Sequence, residues 1–185
     1  MEYYTHLRDM KILLFEYLIT RLIEWYNEVS TSQKSNWQFT RLTALKLLFF
    51  VSTIKDEENN NNDLLDIFDK FCAMQYGPVE SDIYTAIATD KTKVYKFGIH
   101  ELTIIDNDHG VFDGIEPSLK TRIDKAVSLL KSKNPKIVLY SASLLIDISH
   151  KWSAWQEAMS IAEMFGKRSE MMSVISIRSN RQFYE

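Results

Sequence analysis

Asp9-Met10-Lys11-Ile12-Leu13-Leu14-Phe15-Glu16-Tyr17-Leu18-Ile19-Thr20-Arg21-Leu22-Ile23-Glu24-Trp25-Tyr26-Asn27-Glu28-Val29 reads as one long helix. Met10, Leu13, Leu14, Tyr17, Leu18, Leu22, Trp25, Tyr26 and Val29 recur at helical spacing, and Ile12, Phe15, Ile19 and Ile23 form a second apolar stripe. Only Lys11, Glu16, Thr20, Glu24, Asn27 and Glu28 remain for a thin polar face. A helix this apolar is either central to its domain or covered by another chain. That surplus makes the aromatics Phe15, Trp25 and Tyr26, with Trp152 and Trp155 further along, two candidate groups of partner anchors; one group is expected at an interface and the other in the core.

Working outward, Ser30 to Asn36 reads as a loop. Thr40 caps a second, nearly all-apolar helix carrying Leu42, Leu45, Leu48, Phe49 and Ser52 on one face. Residues 55–63 form an acidic loop built around Asn59-Asn60-Asn61-Asn62, whose amides compete for backbone groups and favour turns. Pro78 is placed at a helix start, with Glu80 and Asp82 in the first turn. Val94-Tyr95-Lys96-Phe97 and Leu102-Thr103-Ile104-Ile105, enclosing Gly98, predict a small hairpin. Pro117 opens a further helix that Asn134-Pro135 ends; another lies within Ile137 to Ile148, capped at Ser141, and a short one spans Ser153 to Met164. The expected fold is mainly α: a single compact helical domain over 1–185 with a small β-hairpin and a basic tail at 166–185.

The 185 residues are 45% apolar and 25% charged, which excludes disordered and fibrous classes and provides for a core. Lys plus Arg total 22 against 25 Asp plus Glu, so no overall positive field exists to hold nucleic acid, and direct DNA binding is disfavoured. The lone Cys72 cannot form an internal disulfide and reads as a small buried thiol. With no signal-peptide pattern at the start and no apolar run long enough for a span, a soluble cytoplasmic protein with no membrane role is expected.

Catalytic motifs are absent: there is no phosphate loop, dinucleotide fingerprint, zincin helix or nucleophile elbow. His100-Glu101 with Asp106-Asn107-Asp108-His109-Gly110 is the one cluster of metal-ligand types. Read as a calcium loop from Asp106, it puts Gly110 where an oxygen ligand is required and Val111 where the sharp turn needs glycine, so it reads as a turn. No metal and no cofactor are expected. Asp147, Ser149 and His150 are a hydrolase-type set, but on a helix Asp147 and His150 share a face while Ser149 points away.

Three segments carry a resemblance. Phe71-Cys72-Ala73-Met74-Gln75-Tyr76-Gly77-Pro78-Val79 followed by Ile83-Tyr84 is similar to the F-x-A-x-x-Y-G-P-V…(I/V)-Y signature of the Panacea domain, the SocA-like antitoxin domain of phage-associated proteins. Leu42-Thr43-Ala44-Leu45-Lys46-Leu47-Leu48-Phe49-Phe50 resembles the family's L-x-L-Q-K-L-L-Y-F motif. Leu145-Ile146-Asp147-Ile148-Ser149-His150 with Trp155-Gln156-Glu157-Ala158 resembles its closing L-S-H…P-W segment. Leu45, Phe49 and Ala154 depart from the usual Gln, Tyr and Pro. The resemblance spans 42–158.

It implies a non-enzymatic binding module that neutralises a cognate protein toxin encoded by a neighbouring gene, by complex formation or by delivery to an ATP-dependent protease; a homodimer is a further association to test. The positions it marks are Lys46, Phe71, Tyr76, Gly77, Pro78, Val79, Tyr84, Ser149, His150, Trp152 and Trp155. From the residues alone, Gly77-Pro78 reads as an elbow into a helix, with Tyr76 and Val79 fastening it to the core. His150 reads as a hydrogen-bonded residue at a helix end. The competing expectations are an orphan, prophage-derived interaction protein without a toxin and a hydrolase built around a His150 cleft.

Overall fold

The computed structural model describes residues 2–31, 39–55, 63–106, 108–179 and 181–185. The helix predicted from Asp9 is α1, Glu2–Val29, and α2 is Arg41–Thr53, whose N-cap Thr40 accepts a hydrogen bond from Thr43 N–H at 3.3 Å. α1 is central: Phe15 and Leu18 are fully buried, Trp25 and Tyr26 nearly so, and the helix packs against α2 and against α4, Pro117–Lys133. The cover for its second apolar stripe is the chain itself, so of the two aromatic groups Phe15, Trp25 and Tyr26 are core; Trp152 of the other group is fully buried as well, and Trp155 is half-buried. The loop predicted at 30–36 and the acidic Asn-rich loop at 55–63 lie largely outside the described residues.

The main departure from expectation lies in the motif segment. Phe71–Met74 and Gly77–Glu80 are strands β1 and β2, paired antiparallel with Met74 opposite Gly77. Pro78 therefore sits in a strand, and helix α3, Ser81–Ala88, begins three residues later. Glu80, placed by sequence in the helix's first turn, is instead its N-cap; its carboxylate accepts from Ile83 N–H at 2.8 Å. The elbow is a hairpin turn through Gln75-Tyr76 rather than an entry to a helix.

The hairpin predicted around Gly98 is present as β3, Tyr95–Phe97, and β4, Leu102–Ile104, with Phe97 opposite Leu102. Asp106 and Asp108 accept from the N–H groups of Asp108 and Gly110, each at 2.8 Å, which is turn chemistry. Ser141 caps α5, Ala142–His150, as expected, although Ile137–Leu139 before it is a separate 3₁₀ turn. α6 is Ser153–Met164.

The basic tail is structured. Ser169–Met171 is strand β5, which pairs with β1 to complete a three-stranded sheet in the order β2-β1-β5, and Val174–Ser179 is helix α7. The protein is thus mainly α, with more sheet than the single hairpin expected. Among the described residues, no helix is long and apolar enough to cross a membrane.

Candidate functional site

Lys46 is the only lysine of α2, and its side chain is completely buried. It lies within a helix otherwise buried from Thr43 to Thr53, so its stem is held among apolar neighbours and its ammonium cannot reach water. Its one hydrogen bond among the described residues goes to the Pro78 carbonyl, at 2.6 Å. Burial without a carboxylate partner pushes the Lys46 ammonium down to about 7.

Across from it, Gly77 has φ +86°, in the left-handed region, and a Cβ there would stand 2.3 Å from Ser149 Oγ and 3.1 Å from Lys46 Nζ. The backbone must turn left and pass against both side chains, so only glycine fits. Ser149 is fully buried, and its hydroxyl donates back along α5 to the Ile146 carbonyl at 2.8 Å. His150 closes α5 and stacks on Trp155 of α6, ring centroids 3.8 Å apart and planes within 13°. Trp155 in turn donates from Nε1 to the Met74 carbonyl at 3.0 Å, tying α6 to the last residue of β1. Burial lowers the His150 imidazole below its ordinary value, as does the nearby Lys46 charge, against the opposing pull of Asp147 and a hydrogen bond to the Gln75 backbone. His150 Nε2 is buried without a partner among the described residues.

Three segments distant in sequence thus meet at one hairpin tip: Lys46 from α2, Gly77-Pro78 from β2, and Ser149-His150 with Trp155 from α5 and α6. The other marked residues lie elsewhere. Phe71 is fully buried edge-to-face with Phe49 at 5.2 Å, and Trp152 is fully buried against the same Phe49 at 5.0 Å, so the hydroxyl that Phe49 lacks would enter an apolar aromatic cluster. Val79 is buried. Tyr76, expected to fasten the turn to the core, is 59% exposed and points outward from the tip. Tyr84 is on the surface of α3 beneath the Arg41 guanidinium, 5.8 Å from the ring centre. Cys72 is partly exposed, its thiol 3.8 Å from Met171 Sδ and held above its ordinary value by burial.

The hydrolase set does not assemble. Asp147 is exposed, whereas the Ser149 hydroxyl is buried and already donates within its own helix. Nucleophilic attack needs a hydroxyl that substrate can reach and an adjacent base.

Two charged clusters were not legible as such. Glu16 is fully buried, and its carboxylate accepts from the backbone N–H groups of Lys93, Val94 and Tyr95 at 2.7–3.0 Å. Burial raises its carboxyl above the usual range, against those three bonds. Lys11 reaches Asp69 at 2.7 Å and Glu80 and Asp82 at 3.0 Å each, at the edge of an open groove of about 620 Å³ floored by Met10, Leu14, Ile67 and Leu119. The sequence places Lys11 and Glu16 on the thin polar face of α1; the structure corrects this, burying Glu16 where three backbone donors meet it and drawing Lys11 in to three carboxylates. Among the described residues, no group of His, Cys, Asp and Glu is arranged to hold a metal ion.

No family model, curated protein or solved structure matches the chain.

Proposed function

We propose that the chain is an antitoxin-type binding module of the Panacea kind, which neutralises a cognate toxin from a neighbouring gene by forming a complex with it. The observation that carries this reading is the convergence on one hairpin tip. Lys46, Gly77-Pro78, Ser149-His150 and Trp155 brace the turn from behind, and the turn presents Tyr76, 59% exposed, to a partner. An exposed tyrosine on a rigid support is a low-entropy contact of the kind that anchors protein interfaces. The module acts without chemistry of its own, a reading supported by the buried, self-bonded Ser149 hydroxyl. Handover of the toxin to an ATP-dependent protease is the second route to the same outcome.

The test is to express the adjacent small open reading frame with and without this chain. Toxicity relieved by co-expression, with the toxin's intact mass unchanged, is the expected result. A toxin left active, or one carrying a covalent change, rejects the module, and the absence of a toxic neighbour favours the orphan interaction protein. Tyr76→Ala should weaken relief while leaving the melting temperature within a degree or two, because an exposed side chain contributes little to the fold.

A further inference from the structure

The three-stranded sheet has two edge strands, β2 and β5; β2 is buried along its length and its Pro78 carbonyl is bonded to Lys46, which leaves β5 as the exposed edge. β5 pairs with β1 on one side, and the order β2-β1-β5 puts no strand on the other. The register decides which main-chain groups face outward. Met172 N–H donates to the Phe71 carbonyl at 2.8 Å and Glu170 lies opposite Ala73, so residues 170 and 172 bond toward β1 while Ser169 and Met171 direct their N–H and C=O groups away from it. Among the described residues, the acceptor at this edge for Met171 N–H is its neighbour's carboxylate, Glu170 Oε1, at 3.3 Å.

Large exposed apolar side chains lie on β5 and at the turn that leads into it. Met164 and Phe165, at the end of α6, are 77% and 67% exposed, and Met171 of β5 is 53% exposed. Lys167 N–H bonds back to the Ala162 carbonyl, so the turn carrying Phe165 leads directly into the strand. The charges beside them select the partner. Lys167 is held by Glu170 at 2.8 Å, whereas Arg168 is exposed and has no partner among the described residues. In a second copy the strand itself carries one acid, Glu170, which Lys167 already holds, so pairing β5 with β5 gives Arg168 no free carboxylate from the strand. A foreign segment carrying acids meets that requirement.

We propose that β5 is a docking edge: an extended, acidic and apolar segment of the partner protein adds to it as a fourth strand, bonding to Ser169 and Met171 and covering Met164, Phe165 and Met171. The inference rests on the toxin-binding reading and names the surface it uses.

The experiment measures binding of the purified product of the adjacent open reading frame by calorimetry, with hydrogen exchange on the complex. Met171→Pro removes an outward N–H and leaves the bonds to β1 in place, since an edge position tolerates proline. It should weaken binding at least tenfold with melting near wild type, and Arg168→Glu should weaken it severalfold. In the wild-type complex the Ser169 and Met171 amides should become protected. Retained affinity in a folded Met171→Pro variant, or unprotected Ser169 and Met171 amides, overturns the docking edge alone. If Met171→Pro fails to fold, amide protection in the wild-type complex decides. No binding by wild type overturns the toxin-binding reading and this edge with it. A concentration-dependent dimer of the chain alone that Met171→Pro abolishes assigns the edge to self-association and also overturns the proposal.

Discussion

Lys46 is an ammonium buried against a carbonyl, and its energetics follow from what it lacks. Among the described residues no carboxylate pairs with it, so its charged form is disfavoured in the fold and its ammonium is pushed down to about 7 from an ordinary value of 10.5. Between those two values the unfolded chain binds the proton that the native chain has released, so stability rises with pH, by up to about 1.4 kcal/mol per pH unit at full effect. Urea denaturation should show this rise between about pH 7 and 9, and Lys46→Met should flatten it. An equal slope in the variant would assign the dependence to another group. Gly77 is governed by geometry. Gly77→Ala carries a Cβ into Ser149 Oγ at a φ of +86° and should cost about 2–4 kcal/mol. Adding Ser149→Ala should recover the steric part and leave the backbone strain, so a double variant as unstable as the single one would place the whole cost in φ.

Among the elements, α1 does more than supply apolar surface. Its Glu16 gathers three consecutive backbone donors at the start of β3, an edge that has no strand to bond them, and thereby fixes the second hairpin to the central helix. Thr20, one turn on, extends the same seam to the Tyr95 hydroxyl at 2.8 Å. Glu16→Ala leaves those donors buried and unpaired and should cost about 3 kcal/mol or more, whereas Glu16→Gln keeps one acceptor oxygen and should cost about 1–2 kcal/mol. Thermal melts of the two variants check the order. Amide exchange should also quicken at Lys93, Val94 and Tyr95 in the alanine variant.

At the scale of the whole molecule, the C-terminal segment works as a clasp. Trp152 Nε1 donates to the Phe183 carbonyl at 3.1 Å, the Asn134 amide to the Tyr184 carbonyl at 2.7 Å and Gln182 to the Thr53 carbonyl at 2.7 Å. The Tyr184 ring closes over Phe50 and Trp152. Upstream, Arg178 of α7 grips the buried Asp63 with two bonds of 2.8 Å. Arg178→Met leaves that buried carboxylate without its counter-charge, with the Leu65 N–H as its remaining donor, and should lower stability by about 2–3 kcal/mol. Deleting 181–185 unpairs the Trp152 and Asn134 donors, both reaching into the core, and should destabilise more than any single surface substitution. Denaturant midpoints of the two variants rank these effects; a deletion that melts like wild type would show the clasp to be incidental.

Periodicity made α1, α2, α4 and α6 readable, because a helix long enough to repeat its apolar stripe announces itself locally. The caps at Thr40 and Ser141 and the turn at Asp106-Asp108 were readable for the same reason: each is settled by side-chain bonds reaching two or three residues. β1 and β2 were not, since strands of four residues are too short to establish a period and Pro78 is as compatible with a helix start as with a strand. β5 has no local signal at all; Ser169-Glu170-Met171 is a strand because β1 lies beside it. The sequence alone determined which side chains belong to the motif segments, but it placed Lys11 and Glu16 on the polar face of α1. Only the tertiary structure decided that Lys46, Gly77 and Ser149 touch, that Tyr76 faces outward and that the basic tail folds back as strand and clasp. The first and the last rest on segments far apart in sequence packing together, as Lys46 does on Pro78 and Trp152 on Phe183, and the outward Tyr76 is what that packing leaves over; such meetings leave no trace in local spacing.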